Sequence, residues 1–431
     1  MRPRPVLLRL IPVRLRILHT PATLLYVLRW LLLSSLVGGA AGSASALFLV
    51  ILDWVTNWRE LHPWVLVLLP AAGFLLGLAY HHFGGRAGRG NNLILEEIQA
   101  PAGPIPLRLV PLVLGGTLLT HLFGGSAGRE GTAVQMGAAL ADQLPPLLRL
   151  RPHDRRLLLL AGMSAGFASV FGTPLAGAVF GLEVLLLGSI RYEALLPAFL
   201  SALSADFVTR AWGVGHTHYP QLSALPVTPA GVGWALLAAA LFGLAARSFA
   251  TLTHWLSRQF ARLAYPPLRP LVGGALVVAV VWALGTTRYI GLGVPVIVEA
   301  FQAPLPPQNF LLKLLLTALT LGCGFKGGEV TPLFFMGATL GSALAVVLPL
   351  PVALLAAMGF VGVFAGAANT PLACLLMGLE LFGMSAGGYL ALACVVAYLF
   401  SGHRGIYLAQ LIGQAKHPRL RRHHGRRLED V

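Results

Sequence analysis

Residues 124–137 read GGSAGREGTAVQMG and set an arginine beside a glutamate, Arg129 and Glu130, inside a long apolar stretch. Ionisable groups in such a setting are costly and mark ion paths, proton relays or ligand sites. The surrounding glycines permit a break, and a half-helix beginning near Gly128 presents free backbone N–H groups and the positive end of its dipole. Such an end binds an anion. The Glu130 carboxylate is then a tethered anion, held by the N–H groups that would hold a small solute anion in its absence. Adjacent helical residues do not face each other, so pairing between Arg129 and Glu130 is not expected. A second Gly-rich segment, GFKGGEVTP, carries Glu329, Val330 and Thr331 before Pro332, a helix-start signal. Thr331 reads as a cap for that helix and as an anion ligand, two roles that can coexist. Glu329 either takes part in the ion or proton path or pairs with Lys326, three positions away.

The elements that position these residues are membrane helices. The chain is 56% hydrophobic and only 11% charged, which excludes a soluble globular protein and indicates a polytopic membrane protein. A spanning helix needs about 20 mostly apolar residues. Apolar windows occur at 24–52, 64–80, 107–122, 161–187, 234–256, 268–284, 311–323, 334–350, 352–381 and 389–400, leaving no soluble domain. The net charge of +16 resides largely in MRPRPVLLRLIPVRLR at the start and KHPRLRRHHGRR near the end. By the positive-inside rule both termini and the 148–156 loop are expected in the cytoplasm, with the tails near anionic lipid. The charge therefore sets topology, and no nucleic acid partner is expected.

An internal repeat runs through the chain. GMSAGFASVFGTPLAGAVFGLEVL at 162–185 matches GFVGVFAGAANTPLACLLMGLELF at 359–382, with Thr173-Pro174-Leu175 and Glu183 recurring as Thr370-Pro371-Leu372 and Glu380. Upstream, Gly128, Met136 and Gly137 align with Gly328, Met336 and Gly337. We divide the chain into a basic N-terminal segment (1–20), a first membrane repeat (21–225), a second (226–415) and a basic cytoplasmic tail (416–431). Two homologous halves with Gly- and Pro-broken helices are a transporter pattern, since broken backbone inside a membrane must line a cavity or be buried in protein. Glu183 and Glu380 recur in both halves, which points to a structural role in each.

These motifs resemble the CLC anion channels and transporters. GREGTAVQMG resembles the family's GREGP signature, the 162–184 segment resembles the stretch that follows it, and SGHRGIYLAQ places Tyr407 at the position of the pore tyrosine. The resemblance runs in order from about Gly90 to Tyr407. It implies an all-α fold of two inverted-topology repeats with broken helices, a homodimer with one pathway per subunit, and no enzymatic activity or cofactor. The departures select a branch. GNNLI replaces GSGIP and puts Asn91 where a serine coordinates chloride; GFKGGEVTP replaces GGIFAP; and Val184 stands where chloride/proton exchangers carry an inner glutamate. All three resemble the fluoride-specific clade. The implied function is a fluoride/proton antiporter of the bacterial inner membrane that exports fluoride from the cytoplasm. In it Glu130 is the gating and proton-coupling carboxylate, and Asn91, Gly128, Arg129, Gly131, Glu329, Val330, Thr331 and Tyr407 form the anion site. Fluoride holds water tightly, so a selective site needs strong donors, and the Thr331 and Tyr407 hydroxyls, the Asn91 amide and half-helix N–H groups qualify.

Other readings of the residues are weaker. A chloride/proton exchanger or passive chloride channel of the same fold is the alternative within transport. A membrane hydrolase would use Ser126 or Ser164 with His121 as base, but no third residue orients the histidine. Phe334 and Phe335 read as helix packing, and Asp206 as a paired charge near an interface. The pairs His81-His82 and His423-His424 lack a third metal ligand, and the three cysteines have no metal or disulfide spacing, so no metal site is expected.

Overall fold

The computed structural model describes residues 20–431 apart from 224–225, with side chains described from residue 23 onward. Residues 1–19 of the basic N-terminal segment, and the boundary drawn between the repeats at 225, lie outside the described residues. The chain is all-α. Its first helix, α1 (Thr20–Leu61), is 42 residues long. At a rise of about 1.5 Å per residue it exceeds a hydrocarbon core of about 30 Å and must tilt across it or overhang. There follow α2 (Leu69–Phe83), α3 (Asn91–Gln99), α4 (Leu109–Leu122), α5 (Glu130–Ala141), α6 (Leu144–Leu148), α7 (Pro152–Phe171), α8 (Pro174–Glu183) and α9 (Leu195–Ala211). The second half holds α10 (Pro229–Phe260), α11 (Leu268–Leu284), α12 (Val294–Glu299), α13 (Gln308–Gly322), α14 (Val330–Leu344), α15 (Val352–Ala368), α16 (Pro371–Phe382) and α17 (Gly387–Phe400).

Two of the expected windows are each split in two. The 161–187 window breaks between α7 and α8, where Gly172 adopts a left-handed φ of 68° ahead of Pro174; the 352–381 window breaks at Asn369, φ 60°, ahead of Pro371. Proline lacks the donor a continuous helix needs, and the left-handed residue before it turns the chain. α9 is not among the expected windows. Asp206 and Arg210 dilute its apolar character, but they pair at 2.9 Å and so hide their charge. His216 also approaches Asp206, at 3.7 Å, as expected of a paired charge.

The halves pack alike. α5 lies on α7, and α14 lies on α15. The contacts are close because small residues face each other: a methyl on Gly137 would come within 2.3 Å of the Gly162 carbonyl oxygen, and one on Gly337 within 2.0 Å of that of Gly359. α8 packs on α16 across the halves.

The segment expected to be a basic tail is docked on the protein instead. β1 (Leu186–Leu187) pairs in parallel with β2 (Leu411–Ile412), and Leu428 packs on Leu187 and Ile412. Lys416 donates to the Tyr398 carbonyl and the Ser401 hydroxyl, both at 2.8 Å, and to Asn369 Oδ1. Burial pushes the Lys416 ammonium well below its ordinary range. His403 Nε2 accepts from Lys416 N at 3.3 Å while its Nδ1 meets His423 Nδ1 at 3.1 Å. A neutral His403 ring that accepts at Nε2 carries its proton on Nδ1. Burial, with Lys416 and His423 alongside, accordingly holds His403 down to about 4. A count of basic residues could not reveal this, because docking depends on polar partners distant in sequence.

Candidate anion-binding site

The N-termini of α5 and α14 meet inside the protein. Gly128 and Gly328 form a two-way backbone bridge, with N–H···O distances of 2.6 and 2.7 Å. This brings corresponding points of the repeats face to face. A methyl on Gly328 would sit 2.8 Å from Gly131 N, 3.1 Å from Glu130 N and 3.4 Å from Arg129 N, so glycine there keeps the first amides of α5 open.

Glu130, 1% exposed, is the first residue of α5 and folds its carboxylate back onto the bridge. Its Oε2 accepts from Arg129 N and from Thr331 N, each at 3.1 Å, and its Oε1 accepts from the Thr331 hydroxyl. Two of the three donors thus come from the opposite half. Thr331 lies within the first turn of α14, which begins at Val330 and has Glu329 at its cap position without a side-chain capping bond. The expected capping role for Thr331 is therefore not taken up. Its hydroxyl serves the carboxylate across the bridge because the helix begins two residues earlier than Pro332 alone implies.

Arg129 Nε comes within 3.7 Å of Glu130 Oε1. The expectation that neighbours on a helix point apart fails here because Arg129 precedes the helix, at φ −117°, outside the helical rise. Arg129 also lines a cavity of about 620 Å³ with Arg59, Arg288 and Glu60. Glu329, Asn91, Lys326 and Tyr407 line a second one of about 170 Å³. Glu130 lines neither, so its buried carboxylate lies at the junction of elements that face two separate cavities. Asn91 opens α3, and its amide nitrogen would lie 3.2 Å from a methyl on Gly131. Buried Asn91 Oδ1 and Arg129 Nε have no hydrogen-bond partner among the described residues. Val330 is buried in the first turn of α14, and Tyr407, also buried, meets the edge of Phe180 at 6.4 Å between ring centroids. Glu329 forms no ion pair with Lys326 among the described residues. The lysine instead lies 4.3 Å over the Tyr80 ring and reaches the Gly88 carbonyl.

A model of the family described as voltage gated chloride channel matches residues 72–402. The chain belongs to this family. A chloride/fluoride channel protein of Pseudomonas syringae pv. tomato is 57% identical to it over 401 residues, 91% of this chain and 89% of that protein. The crystal structure of a CLC-type fluoride/proton antiporter superposes with a TM-score of 0.87 at 38% identity, covering 90% of this chain and 98% of that one. A slow cyanobacterial Cl−/H+ antiporter shares the fold, with a TM-score of 0.74 at 20% identity over 86% of this chain and 94% of its own.

Within this CLC chain several other residues fall where the sequence set them. Glu183 accepts from Leu372 N (3.1 Å) and Ala373 N (2.9 Å), and Glu380 accepts from Leu175 N (3.0 Å) and Ala176 N (2.9 Å). Each half's glutamate caps the broken helix of the other, a structural role as expected. Phe334 stacks on Phe360 at 3.9 Å, and Phe335 packs against Tyr289 and under the Lys313 ammonium. Val184 is buried, its carbonyl accepting from Gln410. Among the described residues neither Ser126 nor Ser164 hydrogen-bonds to His121. Ser126 Oγ donates to the Tyr289 carbonyl and meets Thr317, while both His121 ring nitrogens face carbonyl oxygens, of Thr117 and Ala127. Sequence reasoning did not single out Gly328 as a site residue, although its alignment with Gly128 in the repeat carried that signal.

Proposed function

We propose that this CLC protein is a fluoride/proton antiporter that exports fluoride from the cytoplasm in exchange for inward proton movement. The observation that carries the reading is the set of donors on Glu130: two backbone N–H groups and the Thr331 hydroxyl converge on one buried carboxylate. Donors that satisfy a carboxylate oxygen also suit a small, strongly hydrated anion, which is lost from water only if hydrogen bonds replace its shell. Fluoride and carboxylate then compete for one site. The displaced carboxylate takes a proton, and the neutral acid returns with it, so the two ions move in opposite directions.

Gly128, Arg129 and Gly131 shape the α5 end of the site, and Glu329, Val330 and Thr331 the α14 end. Asn91 and Tyr407 serve the anion from the smaller cavity. Arg155, in the start of α7, pairs with Asp142 at 2.6 Å and with Glu97 at 3.2 Å, and Glu97 also pairs with Arg86, near Arg89 of that cavity. With the basic 148–156 loop on the cytoplasmic side by the positive-inside rule, this reading takes the smaller cavity as the cytoplasmic one. The same rule puts both termini in the cytoplasm of a bacterial inner-membrane protein. The two repeats, 21–225 and 226–415, form one subunit of a homodimer embedded in lipid.

The competing reading is a chloride/proton exchanger or passive chloride channel, favoured by the similarity to the Pseudomonas chloride/fluoride channel protein. Purified protein in liposomes, with equal fluoride on both sides and a pH gradient across the membrane, separates the two. Uphill fluoride movement with chloride left behind supports the antiporter. Dissipation of anion gradients only, whatever the pH gradient, contradicts it.

A further inference from the structure

A second basic site lies away from the ion path. Arg247 of α10, Arg404 after α17 and Arg422 near the chain's end line a cavity of about 280 Å³ together with His403, His423 and Val431. All three arginines are exposed, and among the described residues none of them forms an ion pair, with a carboxylate side chain or with the Val431 carboxylate. Three guanidinium groups around one hollow repel each other unless an anion lies between them, and their planar forks suit phosphate oxygens.

The neighbouring groove indicates what kind of anion. From Gly231 to Ala246, α10 carries no charge, and Arg247 is where its exposed face turns basic. On both sides of it, Leu244, Leu252 and Trp255 line a groove of about 530 Å³ that also includes Arg247 and Arg258. Arg247 therefore belongs to both spaces, a polar basic hollow and an apolar groove on a membrane helix. Tryptophan at that level is the residue expected at a membrane surface. His254 of the same helix reaches the Gly405 carbonyl at 2.8 Å, which fixes α10 to the turn that carries Arg404.

We propose that this is a binding site for an anionic phospholipid, with the phosphate headgroup among Arg247, Arg404 and Arg422 and an acyl chain along the α10 groove. The site ties the docked C-terminal segment to the bilayer. It is independent of the proposed ion exchange and stands or falls separately.

The test uses the full chain in detergent, with binding of phosphatidylglycerol, phosphatidylcholine and inorganic phosphate followed by native mass spectrometry and by tryptophan fluorescence. The variant R247Q/R404Q/R422Q is compared with R419Q/R421Q/R426Q, which removes as much charge from the same end of the chain but outside the cavity. Each arginine near a lipid phosphate contributes about fivefold in affinity, so the first variant should bind phosphatidylglycerol about a hundredfold more weakly, and the second like the wild type. Should the first triple variant melt early, Arg247→Gln alone, on an exposed helix face, should still weaken binding about fivefold. Equal losses in both triple variants, no loss in the first, or inorganic phosphate displacing the lipid at equal concentration would each overturn the proposal.

Discussion

The two halves of the chain meet at Gly128 and Gly328, and they differ within the next three residues. The first half continues Arg129-Glu130-Gly131, the second Glu329-Val330-Thr331. In one, the helix opens with a carboxylate that folds back on the break. In the other, the helix opens with an apolar residue, and its threonine hydroxyl and amide receive that carboxylate. Further along, the halves are alike: Glu183 and Glu380 each cap the opposite repeat with two amide bonds. The shared glutamates hold the fold, and the divergent residues gather at the candidate site. Divergence does not clear the bridge of a second carboxylate: Glu329 directly follows Gly328, one position earlier in the repeat than Glu130, and a methyl on Gly131 would lie 3.8 Å from its Oε2.

The strongest break of this comparison removes the asymmetry itself. Glu130→Gln keeps the shape and loses the titratable group, so uphill fluoride movement driven by a pH gradient in liposomes should fall to background. If coupling survives in this variant, the carboxylate is not the proton carrier. On the other side of the bridge, Thr331→Val removes the hydroxyl at nearly constant shape. Fluoride binding by calorimetry should weaken by at least about tenfold, while Thr331→Ser stays within about threefold of wild type, because a desolvated anion short of one charge-assisted bond loses more than about 1 kcal/mol. Normal binding by the valine variant would move the site away from α14.

The symmetrical pair should behave oppositely. Glu183→Gln and Glu380→Gln each weaken two charge-assisted amide bonds at a helix N-terminus, and should lower stability by about 1–3 kcal/mol, read as an earlier thermal melt, with proton coupling retained. The Glu183 variant should lose more, since Glu183 is the more buried of the two. A variant that melts normally and uncouples transport would turn a cap into a path residue. The smallest effect is expected at Asn91→Ser, which shortens one donor beside Gly131 and should raise the chloride-to-fluoride flux ratio by about threefold. An unchanged ratio would leave selectivity to the α14 end.

Much of this was legible in the sequence, for a definite reason. A broken helix in a membrane needs glycine and proline, and a buried carboxylate needs donors, so GREG and GGEVTP announced both the break and the donors that meet Glu130. The recurrence of Glu183 as Glu380 signalled a structural role, although not that each would cap the other's helix, since that partnership is set only when α8 and α16 pack together. α9 escaped because hydropathy counts Asp206 and Arg210 as two charges, whereas in the fold they neutralise each other. The docking of 416–431 escaped because its anchors, Asn369, Tyr398 and Ser401, are brought to Lys416 by the fold. Whether Thr331 caps its helix or faces Glu130 turned on two residues of helix register, finer than a proline signal can place.

The central claim is that fluoride and the Glu130 carboxylate compete for the same donors. Calorimetric titration of fluoride into purified protein near pH 7, repeated in buffers of different ionisation enthalpy, measures the protons taken up per fluoride bound. The account predicts proton uptake by the wild type, as the displaced carboxylate is protonated, and none by Glu130→Gln, which should still bind fluoride. Fluoride binding to the wild type without proton uptake, or equal uptake by both proteins, would contradict it.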